Sequence, residues 1–381
     1  MPLRFEPFQI QIPDAALDDL RQRLHATRWP EQEPVADWSQ GIPLAYLQEV
    51  CRYWADEYDW RATEQRLNAL PQFKTEIDGV GIHLLHLKSP HPEALPLVLT
   101  HGWPGSIVEF LKVLDPLTNP TAHGGDAADA FDLVVPALPG YGFSDKPRET
   151  GWGVERIGRA WAELMAGLGY ERYGAQGGDW GAAVTTAIAL LDPEHCLGIH
   201  LNMPSAPPDP ETMDDLTPTE QAAIESGKHY NRWDSGYSTQ QASRPQTLGY
   251  GLTDSPSAQA GWIIEKFWSW TDCDGHPENA LTRDEMLDNV MLYWLPAAGT
   301  SSARLYWESF RGAFGRGTAI DVPTGASIFP REIVRPSRRW VEKRYTNLIY
   351  WNEVDKGGHF AAFEQPEIFV NEVRASFRSL R

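Results

Sequence analysis

The residues with the clearest chemical potential lie in the glycine-rich segment GGDWG, at 177–181. This segment has the G-x-S-x-G pattern of a nucleophile elbow, with Asp179 in the place of the serine. The preceding residues, YGAQ, predict a strand, and AAVTTAIALLD at 182–192 predicts a helix. The flanking glycines allow a tight turn that holds the central side chain clear of a sheet. We therefore expect Asp179 to be a nucleophile, with a helix-capping Asp in an ordinary turn as the alternative.

A second segment, HGWPGS at 101–106, directly follows the apolar run LPLVLT. Folds that carry a nucleophile elbow place their second oxyanion-hole amide at this point of the chain. We expect the backbone N–H groups of Trp103 and Trp180 to be the two donors. The alternative is a proline-containing turn at the end of a strand.

The candidate base is His359, in KGGHF, which follows the predicted strand NLIYWNEV. The order nucleophile, acid, histidine is that of the hydrolases that use such an elbow. The acid is less well defined, because acidic side chains usually lie on the solvated surface. Glu332, after the segment DVPTGASIF, is preferred by chain order, while Glu353, Asp355 and Glu308 remain alternatives.

The elements that must position these residues can be read from the changing periodicity of the chain. Helical spacing at 14–29 and 43–70 predicts a helical N-terminal extension that takes no part in a sheet. Strands joined by a turn at Asp78-Gly79 follow, and then short apolar runs at 95–102 and 131–140 that are typical of buried parallel strands. Alternation of strand, turn and helix predicts an α/β fold.

Residues 204–260 interrupt this alternation, since they are rich in Pro, Asp, Ser and Gln. We interpret them, with the helices predicted after them, as an inserted lid. The predicted helices of the lid cover about 258–272, 283–296 and 301–311. Strands return at 321–330 and 347–354, and a closing helix begins at Pro366. The predicted boundaries are 1–72 for the N-terminal extension, 73–204 and 313–381 for the two parts of the core, and 205–312 for the lid.

Composition excludes several classes of function. The chain has 381 residues and a formal net charge of −19, which disfavours nucleic acid and anionic membranes as partners. Its three cysteines, Cys51, Cys196 and Cys273, form no CxxC pair and fit a cytoplasmic protein. We expect no membrane anchor, because there is neither a signal peptide nor an apolar run of about 18 residues.

No metal or nucleotide cofactor is expected, because HExxH, Walker and Rossmann patterns are missing from the sequence. The sequence leaves open whether the protein is a monomer or a homodimer.

The segments GGDWG, HGWPGS, PTGASIFPRE and GGHFAAFEQPE, with the N-terminal PFQIQIPDAALDDLRQRLHATRWP, resemble the microsomal-type epoxide hydrolases and their soluble bacterial relatives. The resemblance covers nearly the whole chain. It implies an α/β-hydrolase fold with a helical lid, an apolar epoxide as substrate, and Asp179, His359 and Glu332 as nucleophile, base and acid. Microsomal members carry an N-terminal membrane anchor, whereas this chain begins at the helical extension, so membrane association is not carried over.

The resemblance also implies two lid tyrosines that donate hydrogen bonds to the epoxide oxygen. They match Tyr237, in DSGYS, and Tyr306, in SSARLYWESF. The residues alone do not distinguish them from Tyr230, Tyr250 and Tyr293.

Two other functions remain open at this point. A haloalkane dehalogenase also uses an Asp nucleophile followed by Trp, but would need halide-binding donors and no tyrosine pair. A ligand-binding protein on a hydrolase scaffold would have the same fold without turnover.

Overall fold

A computed structural model describes residues 3–313 and 317–381 of the chain. A nine-stranded sheet, flanked by helices, forms its centre. The strands are β1 (Glu6–Pro7), β2 (Gln72–Ile77), β3 (Val80–Leu87), β4 (Leu95–Thr100), β5 (Phe131–Pro136), β6 (Tyr173–Gly177), β7 (Cys196–Leu201), β8 (Thr324–Ile328) and β9 (Leu348–Glu353). The α-helices are α1 (Asp14–His25), α2 (Leu44–Asp56), α3 (Trp60–Asn68), α4 (Leu114–Thr118), α5 (Val154–Gly167), α6 (Asp179–Leu191), α7 (Pro218–His229), α8 (Gly236–Ser243), α9 (Pro245–Asp254), α10 (Pro256–Trp270), α11 (Arg283–Trp294), α12 (Gly299–Ala313), α13 (Arg338–Arg344), α14 (Ala361–Glu364) and α15 (Pro366–Phe377).

The strand order is β1-β2-β3-β5-β4-β6-β7-β8-β9, and the pairs from β5 to β9 are parallel. The four strands β4 to β7 are apolar and largely buried, because helices cover both faces of a parallel sheet. This confirms the predicted mostly parallel sheet flanked by helices. The carboxyl ends of parallel strands meet at one edge, so the loops after β4, β6, β8 and β9 can converge on one site.

The predicted hairpin is present, with β2 and β3 antiparallel and joined at Asp78-Gly79. Both turn residues have positive φ angles, 50° and 74°. A two-residue turn of this kind matches the twist of its strands, which explains why Asp-Gly is favoured there.

The prediction that the N-terminal extension takes no part in the sheet is wrong. β1 pairs with β2 at the edge of the sheet, with Glu6 opposite Lys74 and Pro7 opposite Phe73. Two residues are too few to show an alternating pattern, and Pro7 argues against a strand except at an edge, where its missing N–H costs nothing. The rest of the extension is helical, as the periodicity predicted.

The segment between β7 and β8 carries α7 to α12. The helices predicted at about 258–272, 283–296 and 301–311 are confirmed by α10, α11 and α12. Helices α7, α8 and α9 were not predicted, because the prolines of this segment were interpreted as interruptions. Pro218, Pro245 and Pro256 instead begin helices, where a proline loses no hydrogen bond.

The N-terminal extension is fastened to the lid by polar contacts. The hydroxyls of Tyr58 and Thr63 both donate to Oδ1 of Asp288 on α11, at 2.6 Å each. Tyr53 donates to Asp284 on the same helix at 2.7 Å. Asp288 is only 2% exposed, so these donors are needed to offset the cost of burying its carboxylate. The extension therefore supports one side of the lid.

Candidate active site

Asp179 occupies the turn between β6 and α6, at the centre of the sheet. Its φ angle is +50°, a left-handed conformation that L-residues with a side chain rarely adopt. The turn can be this tight because Gly181 lies against the Thr100 carbonyl, where any Cβ would collide. The carboxylate thus projects from the first residue of α6, where the helix dipole favours a negative charge.

Two backbone amides bind the Asp179 carboxylate. The Trp103 N–H donates to Oδ1 at 2.8 Å, and the Trp180 N–H is also a hydrogen-bond donor to this group. The loop that carries Trp103 can come this close because Gly102 has no side chain. A Cβ at this position would collide with Oδ1 of Asp179. The two donors are those that the sequence predicted for an oxyanion hole.

Helix α11 of the lid holds the same loop in place. Asn289 donates from Nδ2 to the Pro104 carbonyl, and the Tyr293 hydroxyl donates to the Gly105 carbonyl, both at 2.7 Å. Tyr293 is therefore engaged with the backbone and is not available as a donor to a ligand.

Burial raises the pKa of Asp179, whereas His359 and the two amides lower it and leave a net rise. Desolvation disfavours the anion, and the charge and the hydrogen bonds restore part of its stability. The carboxylate is thus poorly solvated and held in one orientation, as a nucleophile requires.

The loops after β8 and β9 bring Glu332 and His359 together. Nδ1 of His359 lies 2.6 Å from Oε1 of Glu332, and both side chains are almost fully buried. Nε2 lies 3.6 Å from Oδ2 of Asp179, which is too long for a hydrogen bond. The His359 N–H donates to the Trp270 carbonyl at 2.8 Å, which ties the histidine loop to α10.

The pKa of His359 is about 9, because the nearby anions outweigh burial. Burial lowers the pKa, while the charge and hydrogen bond of Glu332, and then the charges of Asp179 and Glu109, raise it. The unreacted site therefore favours an imidazolium beside the Asp179 carboxylate.

The three alternative acids lie elsewhere. The Glu308 carboxylate accepts a hydrogen bond from Gly151 N, and the Glu353 carboxylate accepts one from the Trp351 indole. Glu353 and Asp355 are exposed. Of the four candidates, Glu332 is the one that contacts His359.

The lid contributes Tyr237 from α8 and Tyr306 from α12, both buried. The Tyr237 ring stacks on Trp103, with centroids 4.8 Å apart, and Tyr306 meets Trp180 edge-on at the same distance. The two tyrosine rings are 5.8 Å from each other. Each tyrosine thus packs on one of the two tryptophans whose amides hold Asp179, which sets the lid directly over the Asp179 carboxylate.

The hydroxyl groups of the two tyrosines differ in their partners. The Tyr237 hydroxyl lies 3.0 Å from the Tyr230 hydroxyl. The Tyr306 hydroxyl is buried and makes no hydrogen bond of standard geometry within the described residues, although the Trp180 side chain lies beside it. Burial, followed by the charges and hydroxyls around them, raises both pKa values well above 10, so both remain protonated at neutral pH. Tyr250 is 70% exposed and lies outside the site.

Sequence reasoning missed the charged residues that support the lid tyrosines. Lys266 on α10 is 3% exposed, and its Nζ lies 4.7 Å from the centre of the Tyr237 ring. It pairs with Asp234 at 2.7 Å, and Asp234 also accepts hydrogen bonds from Ser269 and Trp270. The available signal was a lysine inside the aromatic stretch of α10.

Within residues 3–313 and 317–381, no cluster of three or more His, Cys, Asp or Glu side chains could hold a metal ion. None of the helices in these same ranges is long and apolar enough to cross a membrane.

Comparison with known proteins places the chain in a family. Residues 5–110 match the model of the epoxide hydrolase N terminus, and residues 96–235 match that of the alpha/beta hydrolase fold. The α/β-hydrolase fold predicted from the elbow is thereby confirmed. A Stigmatella aurantiaca protein named "Putative epoxide hydrolase" is 57% identical over 98% of this chain and 85% of its own length. Epoxide hydrolase 1 of Oryctolagus cuniculus is 34% identical over 96% of this chain and 87% of its own.

Solved structures agree with this assignment. The crystal structure of juvenile hormone epoxide hydrolase from Bombyx mori superposes with a TM-score of 0.90 at 31% identity, covering 99% of this chain and 95% of that one. The resemblance inferred from the sequence motifs is confirmed: the chain belongs to the microsomal-type epoxide hydrolase family.

Proposed function

We propose that this protein hydrolyses an apolar epoxide to a vicinal diol through an ester at Asp179. One observation carries the proposal. A carboxylate held by two amides lies between a buried histidine–carboxylate pair and two buried tyrosines. Nucleophile, base and acid are all side chains of this chain, so the reaction proposed here needs no cofactor.

In the first half-reaction, Oδ2 of Asp179 attacks an epoxide carbon. Oδ1 remains hydrogen-bonded to the oxyanion-hole amides. The carbon–oxygen bond of the ring breaks, and the departing oxygen becomes an alkoxide that must be stabilised. Tyr237 and Tyr306 donate to this oxygen, since phenols that remain protonated at neutral pH are suitable acids. If Tyr230 donates to the Tyr237 oxygen, the Tyr237 proton is directed to the substrate.

Ester formation prepares the second half-reaction by removing the Asp179 charge. That charge helps to raise the pKa of His359, so its loss lowers the pKa and favours the neutral imidazole. His359 then takes a proton from water, while Glu332 stabilises the imidazolium that forms. The water oxygen bonds to Cγ of Asp179, and the resulting oxyanion accepts hydrogen bonds from the backbone amides of Trp103 and Trp180. One such donor is typically worth about 10²–10³ in rate. The bond between Cγ and Oδ2 breaks, and Oδ2 leaves with the diol, which takes the proton back from His359. Asp179 is left as a carboxylic acid that carries the other water proton, and this proton replaces the one that the site gave to the alkoxide, so the starting charges are restored.

The apolar character of the substrate follows from the surroundings of the tyrosines. Their neighbours are Trp103, Trp180, Trp270 and Phe310. Aromatic walls with a few placed donors bind apolar compounds that carry one polar group. The names of the relatives, which include epoxide hydrolases for juvenile hormone, support an epoxide as that group.

His359→Gln provides the test, with styrene oxide as the probe. The variant should form the ester but fail to hydrolyse it, so intact-protein mass spectrometry should show one added substrate mass, mapped to Asp179. Glu353→Gln, an exposed acid in the same part of the chain, is the control and should turn over normally. Multiple turnovers by His359→Gln, or no adduct with any of a series of aryl, alkyl and polycyclic epoxides, would contradict the mechanism.

The same assay separates the two alternatives. A haloalkane dehalogenase would release chloride from a chloroalkane without forming a diol from an epoxide. A ligand-binding protein would give neither product and no adduct.

A further inference from the structure

A small cavity lies next to Asp179, and its lining includes neither of the two lid tyrosines. Its volume is about 20 Å³, and one water molecule needs roughly 10–15 Å³. Its polar lining comes from Glu109, Gln176, Asp179, Asn202 and His359, and apolar side chains such as Phe110 and Phe369 close it. The cavity therefore has room for one water molecule in contact with both the proposed nucleophile and the proposed base.

Glu109 is an ionisable residue in an otherwise apolar turn. It belongs to the short 3₁₀ helix Ile107–Phe110, in which Ile107, Val108 and Phe110 are at most 3% exposed. Its carboxyl group packs on the α-carbon of Gly105, where a Cβ would collide with Oε2. Glu109 lines the cavity, and within residues 3–313 and 317–381 its carboxyl group forms no hydrogen bond or ion pair at standard distances.

Two further polar groups of the cavity have unused hydrogen-bonding capacity. Gln176 donates from Nε2 to Asn202 at 2.9 Å, but its buried Oε1 has no partner among the described residues. Nδ1 of His359 is engaged by Glu332, which leaves Nε2 on the Asp179 side. A buried water is stable when it makes two to four hydrogen bonds, and these groups together with Glu109 supply enough.

The protonation state of Glu109 suits such a contact. Burial, and then the Asp179 charge, raise the pKa of Glu109 to about 8, although His359 opposes the rise. A neutral carboxyl group still has a carbonyl oxygen that accepts a hydrogen bond from water, and it does not compete with His359 for the proton.

We propose that this cavity binds the water that hydrolyses the Asp179 ester, and that Glu109 positions it by accepting one of its hydrogen bonds. The inference rests on the proposed function. The water gives one proton to Nε2 of His359, its oxygen forms the bond to Cγ, and its second proton stays on that oxygen in a hydrogen bond to Glu109. Glu109 exchanges no proton and is a positioning residue.

The test measures the two half-reactions separately, with styrene oxide in rapid-quench experiments read by intact-protein mass spectrometry. Glu109→Met keeps the length of the side chain and removes the acceptor, whereas Glu109→Gln keeps a carbonyl oxygen. Glu109→Met should slow ester hydrolysis between about 10- and 100-fold, the range that a misplaced reactant can cost, and should leave ester formation within about twofold. Glu109→Gln should recover most of the lost rate.

Glu372→Gln is the matched control, because Glu372 is a buried glutamate that accepts hydrogen bonds from Ser327 and Asn352 and lies outside the cavity. It should lower Tm without changing the ratio of the two half-reactions. Normal ester hydrolysis in Glu109→Met would overturn the inference, as would equal slowing of both half-reactions or equal losses in Glu109→Met and Glu109→Gln. If wild-type protein and His359→Gln form no ester at all, the proposed function itself fails, which is a different result.

Discussion

The turn that carries Asp179 and the lid tyrosines face each other across the candidate site, but they are held in different ways. Asp179 is positioned by its immediate chain neighbours and by Gly102 and Gly181, where backbone approaches leave no room for a side chain. Tyr237 and Tyr306 are positioned by rings and charges that are distant in sequence, such as Trp103 and Lys266. One part of the site is therefore specified by local backbone geometry and the other by packing between elements.

The lid also includes a buried charge pair behind one of its tyrosines. Lys266 and Asp234 are removed from water, and burying an ion pair costs free energy unless its remaining hydrogen bonds are satisfied. Asp234 meets this condition through Ser269 and Trp270. Because Lys266 lies over the Tyr237 ring, we expect its charge also to stabilise the negative charge that the proposed proton donation would develop on the phenol.

This difference predicts how the two regions respond to substitution. No other residue can replace a group that is specified by local backbone geometry, so its substitution should abolish activity. Where many contacts hold a group and a second donor lies beside it, each substitution should remove only part of the activity.

The largest effect is expected for Asp179→Ala, which removes the proposed nucleophile. Diol formation should fall by at least about 10⁴-fold, as for other residues that form the covalent intermediate. No adduct should appear by mass spectrometry, and the circular dichroism spectrum should remain that of the folded protein. Near-normal turnover would show that Asp179 is not the nucleophile. It would also contradict the expectation that a locally specified group cannot be replaced.

The next effect is expected for the lid tyrosines. Tyr237→Phe and Tyr306→Phe should each slow ester formation, because one phenol remains to donate to the alkoxide. The double variant should lose nearly all activity. The rate of hydrolysis of an ester that has already formed should not change in either single variant, and Tyr250→Phe, at an exposed tyrosine, should behave as wild type in both steps. Complete loss in one single variant would mean that the two tyrosines do not share the role.

The smallest effect is expected for removal of the charge behind Tyr237. Lys266→Met should slow ester formation by about 3- to 30-fold, which corresponds to a cation–π contribution of roughly 0.5–2 kcal/mol. The variant leaves Asp234 and Glu265 without the cation that they share. Asp234 is the less exposed of the two, so Lys266→Met combined with Asp234→Asn serves as the control for its unpaired charge. If the double variant regains the wild-type rate of ester formation, Lys266 acts only by neutralising Asp234, and its effect on Tyr237 is excluded.

The sequence determined the parts of this protein that depend on short-range geometry. GGDWG between a predicted strand and a predicted helix indicated the turn that carries Asp179, and the chain order indicated His359 on the loop after the last strand. The hairpin at Asp78-Gly79 and helices α10, α11 and α12 followed from turn chemistry and periodicity in the same way. These features need only neighbouring residues, so a single sequence is sufficient to predict them.

The tertiary structure decided the features that depend on distant residues. The edge strand β1 exists because β2 offers unpaired backbone groups, and its two residues carry no pattern of their own. The residues alone do not settle the choice between Glu332 and the alternative acids, and only the convergence of two loops brings Glu332 to 2.6 Å from His359.

Tyr237 and Tyr306 were predicted from the family resemblance and not from the residues around them. A hydroxyl becomes a candidate donor only when packing excludes water around it, and this depends on the tertiary structure. Glu109 and Lys266 each gave one local signal, an ionisable residue inside an apolar or aromatic stretch. The groups that each side chain faces are set by elements far away in the chain.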